Sequence, residues 1–276
     1  MTRDEKMNRI LQKNAYGADD LVTIVELLRL PGGCPWDREQ THKSIRNDLI
    51  EETYEVIEAI DKEDPALLRE ELGDVLLQVV MHAQMEREEG RCSFDDVCND
   101  ICQKMIHRHP HVFGDVKAET SAAVLANWEV IKSEEKQRET VTDKLRAIPA
   151  QLPALLRAAK VGKKASMMDF PDVPSVLEKL HEELHEVELA LESDSADAVS
   201  EEIGDLLLSV ASLARKVGTD PEQALSHATE KFIARFEGVE RAAGKEGKDL
   251  AQMSVEEREI LWQGVKKDEN LQKMPK

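Results

Sequence analysis

Residues 70–80 read Glu-Glu-Leu-Gly-Asp-Val-Leu-Leu-Gln-Val-Val, and residues 201–211 read Glu-Glu-Ile-Gly-Asp-Leu-Leu-Leu-Ser-Val-Ala, 131 positions further along the chain. The same offset relates two motifs that precede these stretches, Glu51-Glu52-x-x-Glu55 and Glu182-Glu183-x-x-Glu186. Two more patterns recur in the same order: Lys104-x-x-x-Arg108 with Lys231-x-x-x-Arg235, and Trp128-x-x-x-Lys132 with Trp262-x-x-x-Lys266. Ordered recurrence at a nearly constant offset indicates that the chain contains two diverged copies of one structural unit.

Both copies have the composition and the helix-capping signals of helical proteins. Ala, Leu, Glu and Lys dominate the sequence, and these residues favour helix. Asp64-Pro65 and Asp220-Pro221 each place a helix-capping aspartate before a proline in the first turn. The proline-containing stretch from residue 148 to 153 separates the two halves. We therefore predict an all-α fold of two tandem helical-bundle units, residues 1–147 and 148–276.

Charge and hydropathy exclude several classes of protein. The 276-residue chain has a formal net charge of −19, which disfavours binding to nucleic acid or to an anionic membrane surface. No stretch reaches the ~18 consecutive apolar residues of a transmembrane helix, and the N-terminus has no apolar signal core. These features predict a cytoplasmic protein with no membrane partner. The four cysteines are then expected to be free thiols in a reducing compartment.

The repeated acidic residues have the spacing of a metal site. Residues three apart on a helix share a face, and a short connection makes successive helices antiparallel neighbours, so four carboxylates can converge in each half. Carboxylate oxygens suit a hard divalent cation, with Mg²⁺ as the expected ion and Mn²⁺ as the alternative. A solvated, glutamate-rich helix face would account for a single ExxE motif, but here the pair of motifs occurs twice. The predicted metal ligands are Glu52, Glu55, Glu71 and Asp74 in the first half and Glu183, Glu186, Glu202 and Asp205 in the second.

The sequence around the two aspartates also predicts how deeply their side chains are buried. Asp74 and Asp205 each interrupt an almost continuous apolar run, so we expect both carboxylates to be at least partly buried. Buried carboxylates that lie together repel one another strongly, and a cation relieves that repulsion.

Paired basic residues one helical turn apart suit the oxygens of a phosphate chain. Surface salt bridges are the alternative interpretation of each pair. A tryptophan one turn before a lysine is suited to packing a base and reaching a phosphate, although tryptophan is more often a core residue. The predicted substrate-binding residues are Lys231, Arg235, Trp262 and Lys266, with Lys104 and Arg108 as their counterparts in the first half.

Two other chemistries fit the residues poorly. Gly162-Lys163-Lys164 is not a phosphate-binding P-loop, because Arg157 stands at the position of the first glycine and no Ser or Thr follows the lysine. Glu182-x-x-His185 is similar to a di-iron motif, but Tyr54 stands at the corresponding position of the first half.

The ordered motifs resemble the MazG-type proteins of the all-α nucleoside triphosphate pyrophosphatase superfamily, in their two-domain form. The matching stretches span nearly the whole chain and include Gly33-Cys-Pro-Trp-Asp37, Arg108-His-Pro-His-Val-Phe113 and Lys231-Phe-Ile-Ala-Arg-Phe236. The resemblance implies hydrolysis of nucleoside triphosphates to the monophosphate and pyrophosphate, and a homodimer in which dimerisation completes the active sites. It also implies that the C-terminal unit is the main catalytic one. We expect the enzyme to clean the nucleotide pool, with alarmone control as the alternative role.

The resemblance has one departure. Members carry a Gly-Phe-Asp-Trp-like stretch before the second ExxE helix, whereas this chain has Met167-Met-Asp-Phe-Pro-Asp172. The sequence therefore leaves open which base or sugar this loop selects.

The expected mechanism is attack of a water on the α-phosphorus, with Glu182 or Glu183 orienting that water or accepting its proton. Two other functions remain as alternatives. One is a polyphosphate hydrolase of narrower specificity, of the dUTPase type, and the other is a non-catalytic, nucleotide-binding regulator.

Overall fold

The chain folds into two compact helical units, Met1–Glu135 and Lys136–Lys276, in a computed structural model. The structure describes residues 1–135, 140–193 and 195–272, and these contain α-helices and 3₁₀ turns but no strand. The predicted all-α fold of two tandem units is therefore confirmed. Among the described helices, none combines the length and the apolar character needed to cross a membrane.

The first unit contains eight helices. They are α1 (Arg3–Leu11), α2 (Ala18–Arg29), α3 (Pro35–Glu39), α4 (Arg46–Asp61), α5 (Pro65–Glu88), α6 (Phe94–Arg108), α7 (Pro110–Phe113) and α8 (Ser121–Glu135). Helices α4 and α5 pack against each other, and α2 and α6 also pack against α5. Their core consists of Val25, Ile45, Val80, Met81 and Met85.

The helices of this unit begin and end where the capping residues in the sequence predict. The backbone N–H groups of Ala66 and Leu67 donate to Asp64 Oδ1 over 2.9 and 3.1 Å, and Pro65 occupies the first turn of α5. The connection between α4 and α5 spans only residues 62–64, so the two helices are antiparallel neighbours. Antiparallel packing brings the acidic motif of α4 beside the acidic motif of α5.

The second unit repeats this arrangement with helices α9 to α14. They are α9 (Val141–Arg146), α10 (Ala154–Lys164), α11 (Val173–Glu192), α12 (Ala196–Lys216), α13 (Pro221–Lys245) and α14 (Val255–Gln272). Helices α11 and α12 pack closely, as α4 and α5 do, and α13 packs against α14. Helix α9 packs against α10, so it belongs to the second unit, whereas the sequence-based boundary at residues 147 and 148 placed this segment in the first half.

Two charged side chains of α12 form hydrogen bonds with the connection between α10 and α11. Arg215, near the end of α12, donates two hydrogen bonds to the Asp169 carboxylate, and Lys216 donates to the same carboxylate and to the Phe170 carbonyl. The hydrogen bonds from Arg215 are the main cause that lowers the pKa of Asp169. These bonds fix the loop in which the sequence departs from the expected Gly-Phe-Asp-Trp pattern.

Candidate active site

Three glutamates of the second unit converge between α11 and α12. Glu183 and Glu186 lie on α11, Glu202 lies on α12, and each offers a carboxylate oxygen within 4.8 Å of the other two. The i, i+3 spacing puts the first two on one face of α11, and the packing of α12 brings the third opposite them. Glu183 is only 5% exposed, which makes it the buried member of this cluster.

A lysine that the sequence analysis missed lies against this cluster. Lys179 Nζ lies 2.8 Å from a carboxylate oxygen of Glu182 and 2.8 Å from one of Glu183. These two hydrogen bonds raise the pKa of Lys179, so its ammonium stays charged. The signal was present in the sequence, because Lys179 precedes the two glutamates by three and four residues, the spacing of helical ion pairs.

Glu183 and burial both act on Glu186, the other glutamate of the cluster on α11. A hydrogen bond with Glu183 is the main cause that raises the pKa of Glu186, followed by burial. Lys179 opposes this shift, and repulsion from Glu183 and Glu202 adds to it. The charged form of Glu186 is therefore disfavoured in the absence of a cation.

The first unit contains the matching cluster of Glu52, Glu55 and Glu71, again with oxygens within 4.8 Å of one another. Burial is the main cause that raises the pKa of Glu52 and of Glu71, and repulsion from Asp74 and Glu55 adds to it. No lysine accompanies these glutamates at the position of Lys179, because the residue 131 positions earlier is Asp48. Negative charge in this unit is thus less compensated.

The two aspartates behave differently from the glutamates. Asp74 is half-buried and close enough to raise the pKa values of Glu52 and Glu71, yet it falls outside the group of three at 4.8 Å spacing. Asp205 also falls outside its group, and its side chain is exposed. The expectation that Asp205 is at least partly buried is therefore wrong for the single chain. Its apolar neighbours Ile203 and Leu207 are themselves 43% and 49% exposed, so they do not enclose it.

Both clusters fit a divalent cation. Their donors are all carboxylate oxygens, the ligands that Mg²⁺ and Mn²⁺ prefer. Each cluster has one buried member, Glu71 or Glu183, and in each unit the charged forms are disfavoured by burial and mutual repulsion. A bound cation would offset this energetic cost of the charged forms. Carboxylates on an open surface would not experience such a cost.

The predicted substrate-binding residues of the second unit lie on two packed helices, α13 and α14. The ring of Trp262 lies 5.2 Å from that of Phe232, and Phe232 lies 6.3 Å from Phe236. These aromatic rings border an open cavity of about 350 Å³ that Arg258 and Glu259 also line. Lys231 and Arg235 alternate with the two phenylalanines along α13, and Lys266 follows Trp262 by one turn.

The corresponding tryptophan of the first unit is covered. The Arg108 guanidinium carbon lies 5.3 Å from the centre of the Trp128 ring, and Lys132 Nζ lies 4.4 Å from it. Arg108 is buried, and Lys104 on the same helix is exposed. The two copies of the unit therefore use their repeated Trp, Lys and Arg residues in different ways.

Comparison with known proteins identifies the family. A profile of the MazG nucleotide pyrophosphohydrolase domain matches residues 40–113 and 158–239, which together make up more than half of the chain. This chain belongs to the MazG family. The two matched segments contain the two carboxylate clusters, in agreement with the two-domain form of the family.

Several known proteins are similar to this chain along most of its length. The chain is 46% identical over 256 residues to "Nucleoside triphosphate pyrophosphohydrolase" of Escherichia coli K12, covering 91% of this chain and 97% of the relative. It is 42% identical over 250 residues to "Nucleoside triphosphate pyrophosphohydrolase/pyrophosphatase MazG" of Thermotoga maritima, covering 90% and 95%. It is 45% identical to the uncharacterized protein YabN of Bacillus subtilis, of which it covers 51%.

The substitution Glu71→Gln tests whether the first cluster is built for a cation. We expect the metal-free protein to melt about 2–4 °C higher at pH 7.5, because a neutral amide removes a buried charge that its neighbours repel. We also expect fewer Mn²⁺ ions bound per chain, counted by electron paramagnetic resonance in the same preparations. Glu119→Gln, at an exposed position of the same unit, is the matched control and should alter neither quantity.

The pH dependence of stability gives a second readout of the same variant. A carboxyl group whose folded pKa is raised costs stability above that pKa, so lowering the pH from 7 toward 4.5 should relieve part of the cost in metal-free wild type. In the Glu71→Gln variant, the same fall in pH should relieve less of this stability cost. A variant that melts below wild type in chelator and binds the full complement of Mn²⁺ would contradict this assignment.

Proposed function

We propose that this protein hydrolyses nucleoside triphosphates between the α and β phosphates, giving a nucleoside monophosphate and pyrophosphate, in a reaction that depends on Mg²⁺. The observation that carries the proposal is the pair of all-carboxylate clusters, each with one buried glutamate, within the two MazG segments. The names of the Escherichia coli and Thermotoga maritima relatives support the reaction class. Mn²⁺ is the alternative cation.

In the second unit, Glu183, Glu186 and Glu202 would hold the cation, and Asp205 would complete the set. When bound, the metal supplies Lewis-acid polarisation of the phosphate chain and of a water. Glu182 is exposed beside the cluster and is held by Lys179, so its carboxylate is available to orient a water or to accept a proton. Glu183 is the second candidate for that role.

The cations of α13 and α14 would bind the phosphate chain. Lys231 and Arg235 each precede one of the two phenylalanines of the cavity along α13, and Lys266 follows Trp262 by one turn, on a protein that is otherwise strongly acidic. Ammonium and guanidinium groups there would neutralise the charge that builds up on the leaving pyrophosphate. Trp262, with Phe232 beside it, would form an apolar wall for the base.

A metal role for the first unit belongs to the same proposal. Glu52, Glu55 and Glu71, with Asp74 beside them, would hold a cation of their own. Lys104 is exposed and could contact phosphate oxygens, whereas the buried Arg108 lies against Trp128. The second unit, whose tryptophan borders an open cavity, is the better candidate for the main nucleotide site.

The same proposal includes a homodimer. Several large apolar side chains of α11 and α12 are exposed in the single chain, and they flank the carboxylate cluster: Leu184, Leu191, Ile203, Leu207 and Leu208. An apolar surface of this kind marks a protein contact, and a second copy of the chain is the partner that the family resemblance implies. Burial by a partner would also enclose Asp205. For the cellular role we propose removal of unwanted nucleoside triphosphates in the cytoplasm.

The reaction is tested by product analysis with Glu186→Gln. We expect wild type with Mg²⁺ to yield monophosphate and pyrophosphate from a panel of ribo-, deoxy- and damaged nucleoside triphosphates. In H₂¹⁸O the label should enter the monophosphate, because the water attacks the α-phosphorus. We expect Glu186→Gln to lower kcat at least about 100-fold, since even partners outside the ligand shell commonly cost 10- to 100-fold.

The matched control is Glu188→Gln, at an exposed position of the same helix, which should keep wild-type turnover. Diphosphate and phosphate as products, or label in the pyrophosphate, would overturn the proposed site of attack. Full activity of Glu186→Gln would overturn its role as a ligand.

The base-binding role of Trp262 predicts a selective loss of affinity. Removal of an aromatic ring that stacks on a base costs about 1–3 kcal/mol, so Trp262→Ala should lower kcat/KM for nucleotides about 5- to 150-fold. Inhibition by inorganic tripolyphosphate, which has no base, should be unchanged. Trp36→Ala, at an exposed position of the short helix α3, is the control. An equal loss of affinity for tripolyphosphate would show that the ring only supports the fold.

The proposed dimer predicts a solution mass near 62 kDa, twice the 31.1 kDa of one chain. Sedimentation velocity at micromolar concentrations measures this mass directly. Leu207→Asp should shift the protein toward the monomer, because a charge on the apolar surface of α12 cannot be buried without a partner. Wild type that sediments as a monomer at every concentration would contradict the proposal.

A further inference from the structure

Two histidines outside the carboxylate clusters contact each other in the first unit. His42 lies in the turn that precedes α4, and His82 lies on α5. Their Nδ1 atoms are 2.7 Å apart, and the two rings are nearly parallel. On its other side, His42 Nε2 lies 2.8 Å from an oxygen of Glu86. The proposed hydrolysis uses none of these groups.

The contact requires a defined number of protons. A hydrogen bond between two imidazole nitrogens needs one proton between them, since one ring must donate and the other must accept. The pair can therefore be neutral or singly charged. If both rings become imidazolium, both Nδ1 atoms carry a proton, no acceptor remains, and the two positive charges repel each other.

The surroundings decide which group takes up protons. Arg91 holds the Glu86 carboxylate and lowers the pKa of Glu86 to about 2, so Glu86 stays anionic throughout the range in which histidine titrates. Burial lowers the pKa of His82, the positive charge of His42 lowers it further, and Glu86 opposes both effects. The second proton therefore enters the pair at a lower pH than an isolated histidine would require.

The charged groups that line the cavity beside His42 are already paired. A cavity of about 460 Å³ beside His42 is lined by Arg29, Glu88 and Glu89. Arg29 donates to both oxygens of Glu88, over 2.9 and 2.8 Å, and to the carbonyls of Asp37 and Gln40. Glu89 accepts from Arg91. These groups do not replace the histidine contact when it breaks.

The contact holds the beginning of α4 in place. Ile45, which precedes α4, is 2% exposed and packs in the core with Val80, Met81 and Met85 of α5. The Ile45 N–H donates to the Thr41 carbonyl over 3.3 Å, and the Leu49 N–H donates to the Ile45 carbonyl over 3.2 Å. The histidine contact therefore joins α5 to the turn from which the helix carrying Glu52 and Glu55 starts.

We propose that His42 and His82 form a proton-sensitive clasp that positions the start of α4 on α5 and opens when both rings are protonated. The inference goes beyond the proposed hydrolysis and does not depend on it. Its sign follows from linkage. A histidine whose folded pKa is lowered contributes stability above its unfolded pKa of about 6.5, and this contribution is lost as the pH falls below that value.

Nuclear magnetic resonance of the full chain tests the clasp. Side-chain ¹H–¹⁵N spectra recorded between pH 8 and pH 4.5 should show His42 and His82 titrating in two separate steps, the second below pH 6.5. In His82→Gln the His42 resonances should titrate in one step, because the second ring is absent. His227→Gln, at an exposed position of α13, is the matched control and should leave both steps unchanged.

Hydrogen exchange reports the movement of the turn. After correction for intrinsic rates, protection of the Ile45 and Leu49 amides should fall up to about tenfold per pH unit in the window where opening takes up one proton. His42→Gln should remove that pH dependence. Wild-type histidines that titrate independently near 6.5, or amide protection equal at pH 7.5 and pH 5, would overturn the proposal even if no variant folds.

Discussion

Repulsion among clustered, partly buried carboxylates is the constraint on which the rest of this structure depends. Each unit gathers three glutamates at distances that are unfavourable unless protons or cations compensate their charge. Most of the fold can be understood as the means of holding them there: two long helices packed along their length, a short capped turn between them, and neighbouring helices that support the pair. Packing of the core must offset the loss of folding free energy that repulsion at the clusters causes.

The sequence predicts the helices and the carboxylate groups because both depend on local spacing. The i, i+3 pairs fix which residues share a face, and the duplication makes a chance pattern improbable. Exposure of Asp205 was not predictable in this way, because an apolar run indicates burial without saying whether the chain itself or a partner provides it. Lys179 was overlooked for a related reason: an isolated lysine on a helix resembles any solvated residue until its glutamate partners are located.

The duplicated units also indicate how far sequence repeats can be trusted for function. Trp128 and Trp262 stand at equivalent positions, yet the first is covered by two cations and the second borders an open cavity with two phenylalanines. The difference originates in neighbours that the repeat does not preserve, since Met105 and His109 occupy the positions of Phe232 and Phe236. A conserved spacing preserves the placement of a side chain, while its environment depends on residues between the motifs.

Lys179 gives the two units different relations to cations. In the second unit a tethered ammonium already binds two carboxylates, so a metal ion that takes those oxygens must displace it. Loading of a cation there would be an ion exchange, and the released lysine would become available to other anions. In the first unit, where Asp48 stands at the equivalent position, loading would be a simple addition to a cluster without such a lysine. A single position in the repeat would then separate two modes of ion uptake within one polypeptide.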